Sequence, residues 1–324
     1  MKQIQTFLFL LLLLPTTLPA IQLENRMPES VWQAEISLKI VPLYSRAFNG
    51  YGEEAPLKNL ILWDSGWYNL VEGELKREEK RLELKLEYGL TEDWVVETII
   101  PMVQKIQSSY LKFDSGTSEQ LKIISNLASE ELNGLGDINI KFGKELSYST
   151  TMHSVGGLTT RLPTGNSGIS RGIYPNSIGK GQGSVGVFIH INWYPLVHGT
   201  RNVFRIEGNN ELTGERETLE GEKVYYSAGH TADIYYSWSI ERQNIFAGTE
   251  IHYFQQSESK LPIGKSNASF MKEINFEFGY GNLSELEQKP LSFPWQVRLG
   301  YTKPFSGQNT PIIHLWELNA IFLF

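Results

Sequence analysis

Most of this chain consists of segments in which apolar and polar residues alternate one by one. Residues 34–40 read Ala-Glu-Ile-Ser-Leu-Lys-Ile, residues 81–88 read Arg-Leu-Glu-Leu-Lys-Leu-Glu-Tyr, and residues 273–280 read Glu-Ile-Asn-Phe-Glu-Phe-Gly-Tyr. A period of two is typical of β-strands, because successive side chains of a strand point to opposite faces. The sequence therefore predicts an all-β protein whose strands have one apolar and one charged face. A soluble β-sandwich produces the same alternation, so no single strand distinguishes it from a membrane barrel.

The spacing of these segments favours the barrel. We predict strands at 32–42, 79–89, 94–104, 136–146, 152–162, 183–194, 202–212, 229–240, 244–255, 272–282, 293–303 and 312–324. Most are close to the length of about 9–11 residues that a tilted membrane strand needs. Long connections, above all 43–78, 105–135 and 163–182, alternate with short ones such as 90–93. Long external loops opposite short periplasmic turns predict a transmembrane antiparallel up-and-down β-barrel of about 12 strands in the bacterial outer membrane.

Residues 1–20 are expected to direct export rather than to belong to the fold. Lys2 supplies a positive charge, residues 7–14 are an unbroken apolar run, and Ala20 is a small residue at the expected cleavage position. This layout is typical of a cleavable secretory signal peptide, which would leave residues 21–324 as the barrel. The apolar run is shorter than the roughly 20 residues of a spanning helix, which argues against an uncleaved anchor.

Aromatic residues are expected to mark the edges of the membrane. With twelve strands, both chain termini face the periplasm. Several strands begin or end with an aromatic residue at this periplasmic rim. We predict an aromatic girdle there, formed by Trp32, Trp94, Trp193, Tyr194, Trp238, Tyr280 and Trp295, since such rings prefer a membrane–water interface. The chain ends on Phe324, and its last strand resembles the signal that the barrel-assembly machinery recognises. The expected partners are thus outer-membrane lipid, lipopolysaccharide and, during biogenesis, that machinery.

The composition argues against several other classes of protein. The formal charge is −7 without any basic stripe, and there is no Cys, so we expect no nucleic-acid partner, disulfide or thiolate site. The six His are not spaced as metal ligands. Residues 181–186 match G-x-G-x-x-G. A dinucleotide site requires that this motif open a helix, whereas here it runs into a predicted strand. We therefore predict no catalytic, cofactor-binding or metal-binding residues and do not expect an enzyme.

The polar faces of the predicted strands carry charges of both signs. The residues expected to line the lumen are Glu35, Lys39, Arg81, Glu83, Lys85, Glu87, Glu97, Lys141, Arg161, Arg205, Glu207, Asp233, Glu250, Glu273, Glu277, Arg298 and Glu317. Mixed signs in a confined space pair with one another, so an open pore and a cross-linked interior both remain possible. A ring of one sign would indicate ion selectivity, and none is present. The pattern favours a narrow path for a small solute over a general ion porin.

Two segments are candidates for a lid or plug. Residues 53–72 are unusually apolar for an exposed loop, and residues 117–132 place apolar side chains at helical spacing. The alternative is that both pack outward on the barrel mouth or against lipopolysaccharide.

Four motifs resemble those of a known family. They are residues 88–94, Tyr-Gly-Leu-Thr-Glu-Asp-Trp, with Pro101; 134–138, Gly-Leu-Gly-Asp-Ile; 161–165, Arg-Leu-Pro-Thr-Gly; and 181–184, Gly-Gln-Gly-Ser. In this order, over roughly residues 80–200, they resemble the outer-membrane transporters named for the MetA pathway of phenol degradation, a family distantly similar to long-chain fatty-acid channels. The resemblance implies a monomeric barrel that passes hydrophobic or aromatic compounds, and it carries no catalytic residues.

We therefore predict a channel for a small, hydrophobic or aromatic solute. The first alternative is a non-conducting structural or surface-adhesion barrel, and the second is an outer-membrane enzyme that modifies lipid.

Overall fold

A computed structural model describes residues 32–56, 70–113, 130–165, 178–179, 181–194, 200–217, 223–227, 229–242, 244–258, 260–261, 264–265, 267–282 and 295–323. All regular secondary structure in these ranges is β. The described residues contain no helix long and apolar enough to cross a membrane. The predicted signal peptide, residues 1–20, lies outside them and stays a prediction.

The strands, in chain order, are β1 (Trp32–Tyr44), β2 (Arg46–Phe48), β3 (Glu54–Pro56), β4 (Leu70–Gly89), β5 (Trp94–Phe113), β6 (Glu130–Leu135), β7 (Ile138–Tyr148), β8 (Met152–Leu162), β9 (Ser184–Trp193), β10 (Thr200–Glu211), β11 (Thr213–Glu217), β12 (Lys223–Ser227), β13 (Thr231–Arg242), β14 (Ile245–Gln256), β15 (Lys260–Leu261), β16 (Gly264–Lys265), β17 (Ser269–Gly281), β18 (Trp295–Gln308), β19 (Thr310–Pro311) and β20 (Leu315–Leu323).

Twelve of these strands close into one antiparallel barrel. Its order is β1, β4, β5, β7, β8, β9, β10, β13, β14, β17, β18 and β20. Strand β20 pairs back onto β1, with Gln33 opposite Leu323 and Lys39 opposite Glu317. Closure leaves neither the first nor the last strand with an unpaired edge, as a sheet in lipid requires. The predicted barrel of about 12 strands is confirmed.

The first tall hairpin differs from the prediction. Strands β4 and β5 have 20 residues each, whereas we predicted 79–89 and 94–104. Residues 76–80 read Lys-Arg-Glu-Glu-Lys, so every position is charged and the alternation disappears while the strand continues. The expected loops at 43–78 and 105–135 are correspondingly shorter and contain β2, β3 and β6. The candidate lids at 53–72 and 117–132 lie mostly outside the described residues.

A small sheet beyond the barrel joins the segment that follows β1 to the segment that precedes β20. Strand β2 pairs with β3 on one side and with β19 on the other. The backbone N–H of Ile312 donates to the carbonyl of Arg46 at 2.9 Å. Ala47, Phe48 and Ile312 are buried. This sheet therefore holds the segment after β1 against the segment before β20.

The barrel strands have two faces of opposite chemistry. On one, here called the apolar face, large side chains are exposed: Val187 by 62%, Phe278 by 60% and Leu158 by 58%. On the opposite face, here called the charged face, the side chains are much less exposed. The strand registers place all seventeen of the residues predicted to line the lumen on this face. Exposed apolar groups outside a closed sheet are the arrangement of a protein embedded in lipid.

Candidate functional site

A belt of ion pairs runs along the charged face. On β1, Lys39 bridges two neighbouring strands. Its Nζ lies 2.7 Å from Glu83 Oε2 on β4 and 3.4 Å from Glu317 Oε1 on β20. Arg81, which lies opposite Lys39 on β4, pairs with Glu83 at 3.2 Å and with Glu79 at 2.7 Å. The first and last strands of the barrel are thus joined by charge as well as by backbone hydrogen bonds.

The belt continues through two lysines that each hold two carboxylates. Lys85 Nζ lies 3.3 Å from Glu97 Oε2 and 3.7 Å from Glu35 Oε2. Lys141 Nζ lies 3.9 Å from the other oxygen of Glu97 and 2.8 Å from Glu207 Oε2. Because Glu97 is shared, the two lysines belong to one network. Such partly buried pairs add little net stability, but removing one member leaves the charge balance of the network incomplete, which is destabilising.

Three ion pairs of the charged face join strands that are not neighbours in the barrel. Lys141 on β7 reaches Glu207 on β10 past β8 and β9. Arg161 on β8 pairs with Glu211 on β10, and Arg205 on β10 pairs with Glu250 on β14. Side chains on adjacent strands of one face would meet without leaving the sheet surface. Pairs between strands that are not neighbours require the side chains to extend over the strands between them.

A histidine connects two acids in the next sector of the belt. His252 Nδ1 lies 2.6 Å from Glu273 Oε1, and its Nε2 lies 3.1 Å from Asp233 Oδ1. Carboxylates accept but do not donate hydrogen bonds, so both ring nitrogens donate only when the imidazole carries two protons. Tyr235 stacks on this ring, with centroids 4.0 Å apart and planes 3° apart. The Arg205 guanidinium lies over the Tyr235 ring, 4.7 Å from its centroid.

Apolar groups on the charged face form a separate cluster. Val95, Val155 and Phe188 are between 0% and 4% exposed and pack together. A Cβ added at Gly143 would lie 2.8 Å from Val155 and 3.1 Å from Phe188. Side chains pack closely in this part of the barrel. Lys141 Nζ lies 5.6 Å from the Phe188 ring centroid, which connects the cluster to the belt.

Another ring on this face is covered by a cation. The Arg298 guanidinium lies 4.0 Å from the centroid of the buried Phe246 ring. Arg298 Nη1 also lies 3.8 Å from Glu277 Oε2. Aromatic rings such as Tyr235 and Phe246 therefore lie among the charged groups of the belt.

The structure brings the predicted residues together and adds others. Every predicted cation has at least one acidic partner from the charged face. The prediction missed Glu211, which pairs with Arg161 and accepts from Gln182 Nε2 at 3.0 Å. It also missed Tyr235. Counting every second residue along β10 and β13 would have placed both on this face. Among the described residues, no group of His, Asp and Glu is arranged to hold a metal ion.

The residues of the predicted girdle lie at strand ends. Strands β1, β5 and β18 begin at Trp32, Trp94 and Trp295, and β9 ends at Trp193. Trp94 stacks on Phe142 with centroids 4.7 Å apart. The others are Tyr194 just after β9, Trp238 four residues before the end of β13, and Tyr280 one residue before the end of β17. Trp193, Trp238 and Tyr280 are exposed on the apolar face.

Known structures share this architecture. No family model matches the sequence, and no curated protein matches it either. An outer membrane channel from Pseudomonas putida F1 superimposes with a TM-score of 0.67 at 11% identity, covering 96% of this chain and 100% of that one. The translocator domain of the autotransporter NalP from Neisseria meningitidis gives 0.41 at 8% identity, with 90% and 88% covered. A deletion mutant of the monoaromatic hydrocarbon channel TodX gives 0.40 at 10%, with 91% and 90% covered.

At such identities the first of these similarities establishes the fold and no more. The chain has the fold of an outer-membrane β-barrel, and its apolar face contacts membrane lipid. The fold agrees with the predicted location in the bacterial outer membrane.

Proposed function

We propose that this protein is an outer-membrane channel for a small solute that is hydrophobic or aromatic. One observation carries the proposal: a closed barrel exposes apolar side chains on one face, while the charged residues of the other face pair with one another. In this proposal the charged face lines the lumen, and the predicted girdle marks the periplasmic interface. The Pseudomonas putida protein that shares this fold is an outer membrane channel, which supports the proposal.

The proposed lumen is narrow and has no net preference for one sign of charge. The pair between Lys141 and Glu207, with 2.8 Å between Nζ and Oε2, extends over the two intervening strands. Fixed charges that are already paired do not replace the hydration shell of an ion, so a general ion porin is disfavoured. Aromatic rings lie between the pairs: Tyr235 is stacked between His252 and Arg205, and Phe246 lies beneath Arg298. Such a path suits a solute that loses little hydration when it enters.

The solute class has a second, independent support in the sequence. The motifs at 88–94, 134–138, 161–165 and 181–184 resemble the family named for the MetA pathway of phenol degradation. We propose that the chain is a divergent member of that family. Passage of hydrophobic or aromatic compounds, a monomeric barrel, and recognition of the last strand by the assembly machinery follow from that proposal.

A non-conducting structural or adhesion barrel is the second candidate. The pairs that skip strands favour it, because they link parts of the barrel wall that are two or three strands apart. The apolar cluster of Val95, Val155 and Phe188 fills a further part of the interior. A barrel of this kind would present its external segments to the surroundings and pass nothing.

Transport by the refolded protein separates the two candidates. Mature protein in planar bilayers is expected to show small, discrete openings. The same protein in liposomes is expected to speed the uptake of phenol or toluene more than that of a sugar of similar size. Liposomes without protein, and liposomes with heat-unfolded protein, are the controls. If neither openings nor faster uptake occur with demonstrably folded protein, the structural candidate replaces the channel.

A further inference from the structure

Two lysines on the apolar face have no acidic partner in the described part of the chain. Lys272 on β17 and Lys303 on β18 are both exposed. Lys303 lies opposite Ile274, two residues from Lys272, so the two lysines are diagonal neighbours across adjacent strands. By contrast, the cations of the belt are paired, and Lys80 on the apolar side pairs with Glu78 at 2.9 Å. Two unneutralised cations therefore lie side by side among apolar residues.

Their height on the barrel places them at one edge of the membrane. Along β17, Lys272 is eight positions from Tyr280, a residue of the predicted girdle. A tilted strand rises about 2.5 Å per residue along the membrane normal, so the lysines lie about 20 Å above the girdle. The apolar band of such barrels is about 25 Å tall. The lysines are thus at the outer edge of the band, opposite the periplasmic rim.

The surface around the lysines carries polar groups and is apolar towards the membrane centre, and Phe305, two residues beyond Lys303, is an exposed apolar residue on the far side. Tyr253 lies opposite Lys272. Tyr301, two residues before Lys303, has its hydroxyl 2.7 Å from His314 Nδ1. Towards the membrane centre the exposed residues are Phe276, Phe278 and Leu299. A ligand that fits this surface has anionic groups at one end and hydrocarbon chains below them.

We propose that Lys272 and Lys303 form a binding site for the phosphate groups of lipopolysaccharide, whose acyl chains pack on the apolar residues beneath. Phosphate complements two adjacent ammonium groups, and lipid A has phosphorylated sugars directly above its acyl chains. Tyr301 and His314 add groups that hydrogen-bond to sugar or phosphate oxygens. The inference rests on the outer-membrane placement and topology of the proposed function, and not on whether the lumen conducts.

Binding of purified lipid A to the folded, detergent-solubilised full barrel tests the site. Native mass spectrometry is expected to show retention of bisphosphorylated lipid A and weaker retention of the dephosphorylated form. Lys272→Gln with Lys303→Gln should lower the affinity about tenfold, the value of one lost charge-assisted hydrogen bond. Lys272→Arg with Lys303→Arg should keep most of the affinity. A heat-modifiable gel band verifies that each variant is folded.

Lys144 provides a matched control. It is an exposed lysine at the opposite edge of the barrel, with its Nζ 5.3 Å from the Trp94 ring centroid. Lys144→Gln is expected to leave lipid A binding unchanged. If this change weakens binding as much as the double change does, the attraction is a general charge effect and the site is overturned. Undiminished binding by the Lys272→Gln, Lys303→Gln protein overturns it as well. Both results leave the conductance measurements unaffected.

Discussion

Lys141 and Glu207 form an ion pair with 2.8 Å between Nζ and Oε2, across a space bounded by the two intervening strands β8 and β9. Glu207 also accepts from Thr159 Oγ1 and from Asn209 Nδ2 at 3.0 Å. The carboxylate is therefore held from both sides, and the lysine is drawn away from its own strand. This pair links separate sectors of the wall, and in the proposed channel it narrows the lumen.

Removal of both members of this pair is expected to widen the path. The double variant Lys141→Ala, Glu207→Ala should give larger single-channel conductance than the wild-type protein in planar bilayers. Phe142→Ala is the control, because it removes a large side chain from the apolar face at the adjacent position and should leave conductance unchanged. An unchanged conductance in the double variant would show that the constriction is elsewhere.

The same pair should show coupling in stability. Lys141→Ala leaves Glu207 without its cation, and Glu207→Ala leaves Lys141 with only the longer contact of 3.9 Å to Glu97, whereas the double variant removes both charges of the pair. We expect a coupling free energy of about 1–2 kcal/mol, towards the middle of the range for contacting residues because both side chains are partly exposed. Urea unfolding of the four proteins in lipid vesicles measures it. Additive effects of the two single changes would contradict a direct interaction.

The sequence predicted the strands well where the alternation is clean and poorly where it is not. Pleating gives every strand a period of two, so residues such as Glu83 and Leu84 could be assigned to opposite faces without a structure. Residues 76–80 are charged at every position, so the extension of β4 left no periodic signal. That the charged face is the lumen remains part of the proposed function.

The partners of the charged residues were beyond prediction. Lys85 and Glu35 lie directly opposite on neighbouring strands, and a correct register would have suggested their pairing. Lys141 and Glu207 are on strands that do not touch, so their contact depends on the curvature and closure of the whole barrel. The role of His252 between two acids depends on two registers at once, that of β14 with β13 and that of β14 with β17.

Gly143 is expected to tolerate no side chain. A Cβ there would lie 2.8 Å from Val155, 3.1 Å from Phe188 and 3.2 Å from Val95, which are themselves tightly packed. Gly143→Val should destabilise the barrel by about 1–3 kcal/mol through overpacking. Gly300→Ala is the matched control, because its nearest atoms are at ordinary contact distances of 3.5 Å or more. The temperature at which the folded band disappears on a gel should fall for Gly143→Val alone. Equal behaviour of the two variants would show that the cluster yields easily.

His252 is expected to stabilise the barrel by separating two acids. His252→Leu removes the donor to Glu273 and to Asp233 and leaves both carboxylates in place, at a cost of about 1–3 kcal/mol. Adding Asp233→Asn and Glu273→Gln to that variant should restore much of the stability, because neutral amides neither repel nor need a cation. Unfolding by urea in vesicles measures the three proteins. If neutralisation gives no recovery, the loss comes from the packing of the ring on Tyr235 rather than from charge.

The apolar face is expected to reject charge in proportion to its depth in the bilayer. Val187 lies in the middle of β9, is 62% exposed and faces Leu158 on β8. Val187→Lys should lower the free energy of unfolding in lipid vesicles by about 2–4 kcal/mol, the cost of lysine near the bilayer midplane. Tyr51 is even more exposed, at 92%, but lies in the turn between β2 and β3 beyond the barrel, so Tyr51→Lys should change stability little. If both lysines are tolerated equally, and the mature protein stays monodisperse in buffer without detergent, this face is in contact with water and the membrane assignment is wrong. A penalty confined to Val187→Lys shows that exposure alone does not decide the cost. The deciding factor is whether the exposed side chain faces lipid or water.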